Sequence, residues 1–106
     1  MNKILERLDL TIQRKITESP KKSHTAKLFS KGTEKCAEKF GEEAIELIVA
    51  SVKKKKKDVI SEAADTLYHM CVLLRSKDIS INEVLSELAS REGISGIEEK
   101  RKRNLK

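Results

Sequence analysis

At 106 residues the chain has room for one domain and not for two. A charged fraction of 38%, an aromatic fraction of 3% and the absence of tryptophan exclude a core built on rings and point to Leu, Ile, Val and Ala on helices. A formal net charge of +6 suits nucleic acid, an anionic membrane or a polyphosphate, but zinc-finger spacing, an aromatic stacking motif and a continuous basic helix face are all missing. No apolar run approaches the ~20 residues of a membrane span, and Met1 to Arg7 is already charged and amphipathic rather than a signal peptide. The expectation is a cytoplasmic protein with neither a nucleic-acid nor a membrane partner. Cys36 and Cys71 each fall in an apolar helical pattern far apart in sequence, as buried reduced thiols do.

Ile4, Leu5, Leu8, Ile12 and Ile16 recur at helical spacing, so residues 2–16 form a first, core-packing helix that Ser19-Pro20 breaks. Ser23 caps a short helix over Thr25 to Lys31, which Gly32 ends. Leu28 and Phe29 anchor it. Lys27 and Lys31 stand at i,i+4, a spacing that reaches a phosphate but more often marks a solvated face. Thr33 is placed as the N-cap of a third helix running to about Val52, with Phe40, Ala44, Leu47 and Ile48 apolar. Gly41 inside it costs about 1 kcal/mol of helix propensity and usually permits close approach of a helix or a ligand. The lysine run 53–57 forms the helix end and a connection. Asp58 is placed as the cap of a fourth helix, about Val59 to Ser76, expected to be the most buried through Ile60, Ala63, Ala64, Leu67, Met70, Cys71 and Leu74. Ser80-Ile81-Asn82-Glu83 is a capping box that opens a last helix ending near Gly93. This gives an all-α bundle of four to five helices in a single domain over residues 1–94, with a polar, basic tail at 95–106. Excess apolar surface on the third and fourth helices calls for dimerisation or a larger assembly to cover it.

The chemistry lies in carboxylates set inside apolar runs. Glu46 is the only charge from Ala44 to Val52, and Glu62 and Asp65 are the only formal charges from Val59 to Leu74. A buried charge is costly unless it is paired or holds a metal. Glu42 and Glu46 stand at i,i+4, Glu43 and Glu46 at i,i+3, and Glu62 and Asp65 at i,i+3. Antiparallel packing would bring up to five acids together, and like charges at that density require a divalent cation among them. Hard oxygen donors select Mg²⁺, with Mn²⁺ as a substitute. Lys35 and Lys39 share the stripe of the first acids, and His69 lies one turn beyond Asp65. Metal-bound carboxylates beside lysines suit phosphoryl chemistry, with a carboxylate as base. A solvated acidic face is the bland alternative, and E-E-x-x-E alone does not exclude it.

Three stretches carry a resemblance. They are Ser23-x-Thr25-x-x-Leu28-Phe29-x-x-Gly32-x-x-Lys35, then Lys39-x-Gly41-Glu42-Glu43-Ala44-x-Glu46, then Glu62-Ala-Ala-Asp65-x-Leu67-Tyr68-His69-x-x-Val72-Leu73-Leu74. Together with Ser95 to Lys100 they resemble the phosphoribosyl-ATP pyrophosphatases of histidine biosynthesis, within the wider MazG-like pyrophosphohydrolases. His24 stands where an aromatic such as tyrosine is expected, and Phe40 where valine or leucine is usual. The resemblance implies a monofunctional, intertwined all-α homodimer that splits phosphoribosyl-ATP into phosphoribosyl-AMP and pyrophosphate with Mg²⁺. It implies Glu42, Glu43, Glu46, Glu62 and Asp65 as metal ligands, with Glu43, Glu46, Glu62 and Asp65 catalytic, and Lys31, Lys35, Lys39 and His69 at the substrate. Two alternatives stay open: a related pyrophosphohydrolase for another nucleotide, and a non-catalytic helical module that binds an acidic partner or nucleic acid through its lysines.

Overall fold

Why these residues form helices, and where the helices stop, is visible at each end. The computed structural model describes residues 2–53, 55–93 and Arg103, so the expected tail at 95–106 lies, but for Arg103, outside the described residues. The elements in order are α1 (Asn2–Lys15), α2 (His24–Ser30), α3 (Thr33–Lys53), α4 (Lys56–Ser76) and α5 (Ile81–Ser90), with no strand among the described residues.

Ser23 caps α2 as expected, its Oγ accepting the Ala26 N–H at 3.1 Å. Gly32, at φ +94°, takes the left-handed position that closes α2, where a Cβ would be strained. Its carbonyl also accepts the Cys36 N–H at 3.1 Å and so opens α3. Gly32, not Thr33, therefore holds the cap position of α3. Thr33 heads the helix, and its hydroxyl donates instead to the Ser76 carbonyl at 3.4 Å. Asp58 is likewise not a cap. α4 begins at Lys56, and Asp58 sits in its first turn, where a carboxylate complements the helix dipole. The Ser80–Glu83 capping box is present, with Glu83 Oε2 accepting the Ser80 N–H at 2.8 Å.

α3 and α4 are each 21 residues, about 31 Å, joined through residues 54 and 55. So short a link between long helices makes an antiparallel hairpin. Thr33 meets Ser76 at the open end, and Glu43 meets Thr66 further toward the link. The core lies at the open end. Ile12, Cys36, Cys71, Val72 and Ile81 are fully buried there, with Leu5, Leu8, Leu28, Leu73 and Leu85 packed around them. Asp9 is buried beside them. Its Oδ2 accepts from Arg75 Nη2 at 2.8 Å and from the Ile81 N–H at 3.2 Å, which ties α1, α4 and the start of α5 together.

The hairpin's other half departs from the expectation. α4 is not buried throughout: Ile60 and Leu67 are 59% and 43% exposed, and on α3 Ile48 is 62% and Val52 78% exposed. They lie on the part of the hairpin that α1, α2 and α5 leave uncovered. Gly41 is also open, since a Cβ there would meet nothing within 4 Å.

Both cysteines are free and buried. Burial raises the Cys36 thiol and pushes Cys71 up to about 11, with Asp9 adding to the latter and Arg75 opposing it. Only the thiolate reacts with disulfide reagents. At pH 8 neither thiol of the folded protein should react over the time in which the urea-unfolded chain loses both; absorbance of the released thiol reads the result.

Candidate active site

The hairpin register brings two acid-bearing turns face to face. Glu43 is buried on α3, Glu62 half-buried on α4 and Asp65 exposed one turn further along. One carboxylate oxygen from each of the three lies within 4.8 Å of the others. Glu46 joins them from the next turn of α3. A side-chain hydrogen bond with Glu43, then the charge of Glu43, push the Glu46 carboxyl above its usual range, and Glu62 acts in the same direction. Glu62 Oε2 is buried without a hydrogen-bond partner among the described residues. An orphaned acceptor facing like charges is a donor suited to a cation.

Four of the five expected acids thus come together. Glu42 does not: it points to the exposed side of α3, where Lys39 Nζ approaches it at 3.9 Å. Lys39 is closer to Glu43, at 3.4 Å. His69 Nε2 lies 3.9 Å from the same Glu43 oxygen, and Nδ1 is buried without a hydrogen-bond partner among the described residues. Burial holds the imidazole below its ordinary value, against the opposite pull of Glu43, so His69 is neutral at pH 7.

Beside the acid cluster lies a cleft of about 480 Å³. Glu43, Asp65, Tyr68 and His69 line it, and His24, Lys27, Leu28, Lys31 and Lys39 complete the lining. Lys27 and Lys31, whose spacing alone favours a solvated face, stand at this rim. Lys35 faces away into a smaller groove with Glu38, to which it pairs at 3.2 Å.

Two contacts escaped the sequence reading. The Thr66 hydroxyl is shared between the main-chain carbonyls of Glu62, at 2.8 Å, and Glu43, at 3.2 Å, so it bridges the two turns that carry the acids. Thr25 on α2 hydrogen-bonds the Tyr68 hydroxyl on α4 and fixes the α2 wall of the cleft. The first was traceable: folding the chain at the lysine run sets Glu43 opposite Thr66. The second had no signal, because nothing local says where α2 docks.

Five helices among the described residues, with a carboxylate cluster between two antiparallel ones beside a lysine-rimmed cleft, define an all-α protein whose acids could hold a metal ion. A family model described as phosphoribosyl-ATP pyrophosphohydrolase matches residues 5–92. Proteins named phosphoribosyl-ATP pyrophosphatase are similar over nearly their whole length. That of Rhodobacter capsulatus is 54% identical, covering 91% of this chain and 93% of the relative. That of Dinoroseobacter shibae is 54% identical over 94% and 98%, and that of Paracoccus denitrificans 54% over 93% and 92%. The chain belongs to the phosphoribosyl-ATP pyrophosphohydrolase family.

Proposed function

We propose that the protein hydrolyses phosphoribosyl-ATP to phosphoribosyl-AMP and pyrophosphate, the second step of histidine biosynthesis, in the cytoplasm. The observation that carries this reading is the set of three carboxylate oxygens within 4.8 Å beside a lysine-rimmed cleft. Glu43, Glu62 and Asp65 would hold Mg²⁺, or Mn²⁺ in its place, since all three donors are hard oxygens. When bound, Mg²⁺ neutralises phosphate oxygens and acidifies a ligated water. Glu46, in contact with Glu43 and Glu62, is the carboxylate placed to accept the proton of the attacking water. Lys27, Lys31 and Lys39 face the developing charge of the leaving pyrophosphate, where fixed cations lower the barrier. His69, whose Nε2 lies 3.9 Å from Glu43, lines the cleft where it can contact the substrate. Lys35 and Glu42 add only to the surrounding field. A substrate panel tests the reading. Pyrophosphate should be released from phosphoribosyl-ATP and not from ATP or dUTP; turnover of another nucleotide alone would reassign the substrate.

Thr66 positions the two acid turns. Thr66→Val keeps the side-chain volume but removes the shared hydrogen bond, and supporting contacts of this kind are worth 10- to 100-fold in metal affinity. Mn²⁺ binding followed by electron paramagnetic resonance should weaken by about 10-fold in Thr66→Val and recover in Thr66→Ser.

The exposed apolar positions of the hairpin support a homodimer. Ile45, Ile48, Val52 and Ile60 are each more than half exposed. The radius of gyration of 16.0 Å exceeds the roughly 13 Å of a compact domain of this length. Ile48→Asp should convert a dimer to a monomer in analytical ultracentrifugation; a wild-type monomer would refute this.

A further inference from the structure

A second cleft, also of about 480 Å³, adjoins the first. It is lined by Pro20, Lys21, Lys22, Ser23, His24 and Lys27, and it shares His24 and Lys27 with the carboxylate cleft. The shared side chains make the two clefts neighbours. Their electrostatics differ: the first contains Glu43 and Asp65, whereas the second has cations and no carboxylate in its lining.

The cations sit on ordered backbone. The Lys22 and Ser23 N–H groups donate to the Ser19 carbonyl at 2.9 and 3.1 Å, and the Lys21 N–H donates to Ser19 Oγ at 3.3 Å. Pro20 fixes its own φ within that turn. Ser23, buried, joins the turn to α2 through its cap. Among the described residues no carboxylate lies within 4 Å of the ammonium of Lys21, Lys22 or Lys27.

Phosphoribosyl-ATP carries anions at both ends. The triphosphate is one; the 5′-phosphate of the added ribose is the other, separated from it by two riboses and a purine. A metal-complexed triphosphate suits the acidic cleft. A bare phosphate monoester is repelled by carboxylates and needs cations with none nearby. We propose that Lys21 and Lys22, with His24 at the junction, form a phosphate subsite that takes the 5′-phosphate of the phosphoribosyl group. The subsite selects phosphoribosyl-ATP over ATP, which has nothing to place there. This assignment rests on the proposed hydrolysis of phosphoribosyl-ATP.

Two measurements test it. In steady-state kinetics, Lys21→Ala with Lys22→Ala should raise KM for phosphoribosyl-ATP by about 10-fold or more and change kcat by far less, which is the loss expected for a charge-assisted contact made equally in ground and transition states. Lys21→Arg with Lys22→Arg should restore KM, and inhibition by tripolyphosphate should stay unaltered. Separately, ribose 5-phosphate titrated into the wild-type protein should shift the amide resonances of Lys21, Lys22 and His24, and inorganic phosphate should do so more weakly. A KM within twofold of wild type, or no shift at these amides, overturns the subsite. If phosphoribosyl-ATP is not turned over at all while ribose 5-phosphate still shifts them, the subsite stands as a sugar-phosphate site and the reaction is misassigned.

Discussion

Glu62→Gln and Asp65→Asn should each lower kcat/KM for phosphoribosyl-ATP by at least about 10²-fold, the scale of removing one group that stabilises transition-state charge, with the helical circular dichroism intact. Both replacements keep shape and delete charge. Glu62 is the sharper of the two, because its Oε2 is buried with no hydrogen-bond partner among the described residues. An amide nitrogen there cannot ligate a cation. The fold does not depend on the lost charge. Glu43, Glu46, Glu62 and Asp65 repel one another, so deleting one relieves strain and the melting temperature should hold or rise. Loss of activity with unchanged or improved stability is the signature of a site whose cost is accepted for function. A non-catalytic module would show no change in function for either variant.

Arg75→Met should be the most damaging single change to stability. Arg75 and Asp9 are 12% and 8% exposed and paired at 2.8 Å, and Asp9 also receives the Ile81 N–H. Removing the guanidinium leaves a buried, uncompensated carboxylate, at a cost of about 3–5 kcal/mol. That is a large part of the 5–15 kcal/mol typical of a small domain. Urea denaturation should show the loss as a lower midpoint with little change in slope. The double variant Asp9→Leu with Arg75→Met should lose less than Arg75→Met alone, since no charge is then stranded.

How far the sequence reached depends on whether the decisive interaction was local. The helices follow from apolar spacing, and the Ser23 cap and Ser80–Glu83 box are local hydrogen-bond patterns that appear where expected. The starts of α3 and α4 were misplaced for physical reasons. Gly32 can adopt φ +94° and so both ends α2 and opens α3, which leaves Thr33 inside the helix. The lysine run is helical from Lys56, so Asp58 falls in the first turn. The carboxylate motif was legible because i,i+3 spacing puts Glu43 with Glu46 and Glu62 with Asp65. Adjacent residues diverge by about 100°, and that is why Glu42 turns away while Glu43 faces α4. Apolar composition alone does not say which apolar positions the chain's own helices cover, and Ile60 and Leu67 are left exposed. The roles of Thr25, Lys21 and Lys22 depend on where α2 docks, and no short-range pattern encodes that.

The most direct test is pyrophosphate release from phosphoribosyl-ATP by the wild-type protein with Mg²⁺, then with excess EDTA, then with Mg²⁺ restored. The carboxylate cluster as a cation-dependent hydrolytic centre predicts release with Mg²⁺, none with EDTA, and full recovery on restoration. Release that persists in EDTA would contradict it and leave the clustered acids without their assigned role.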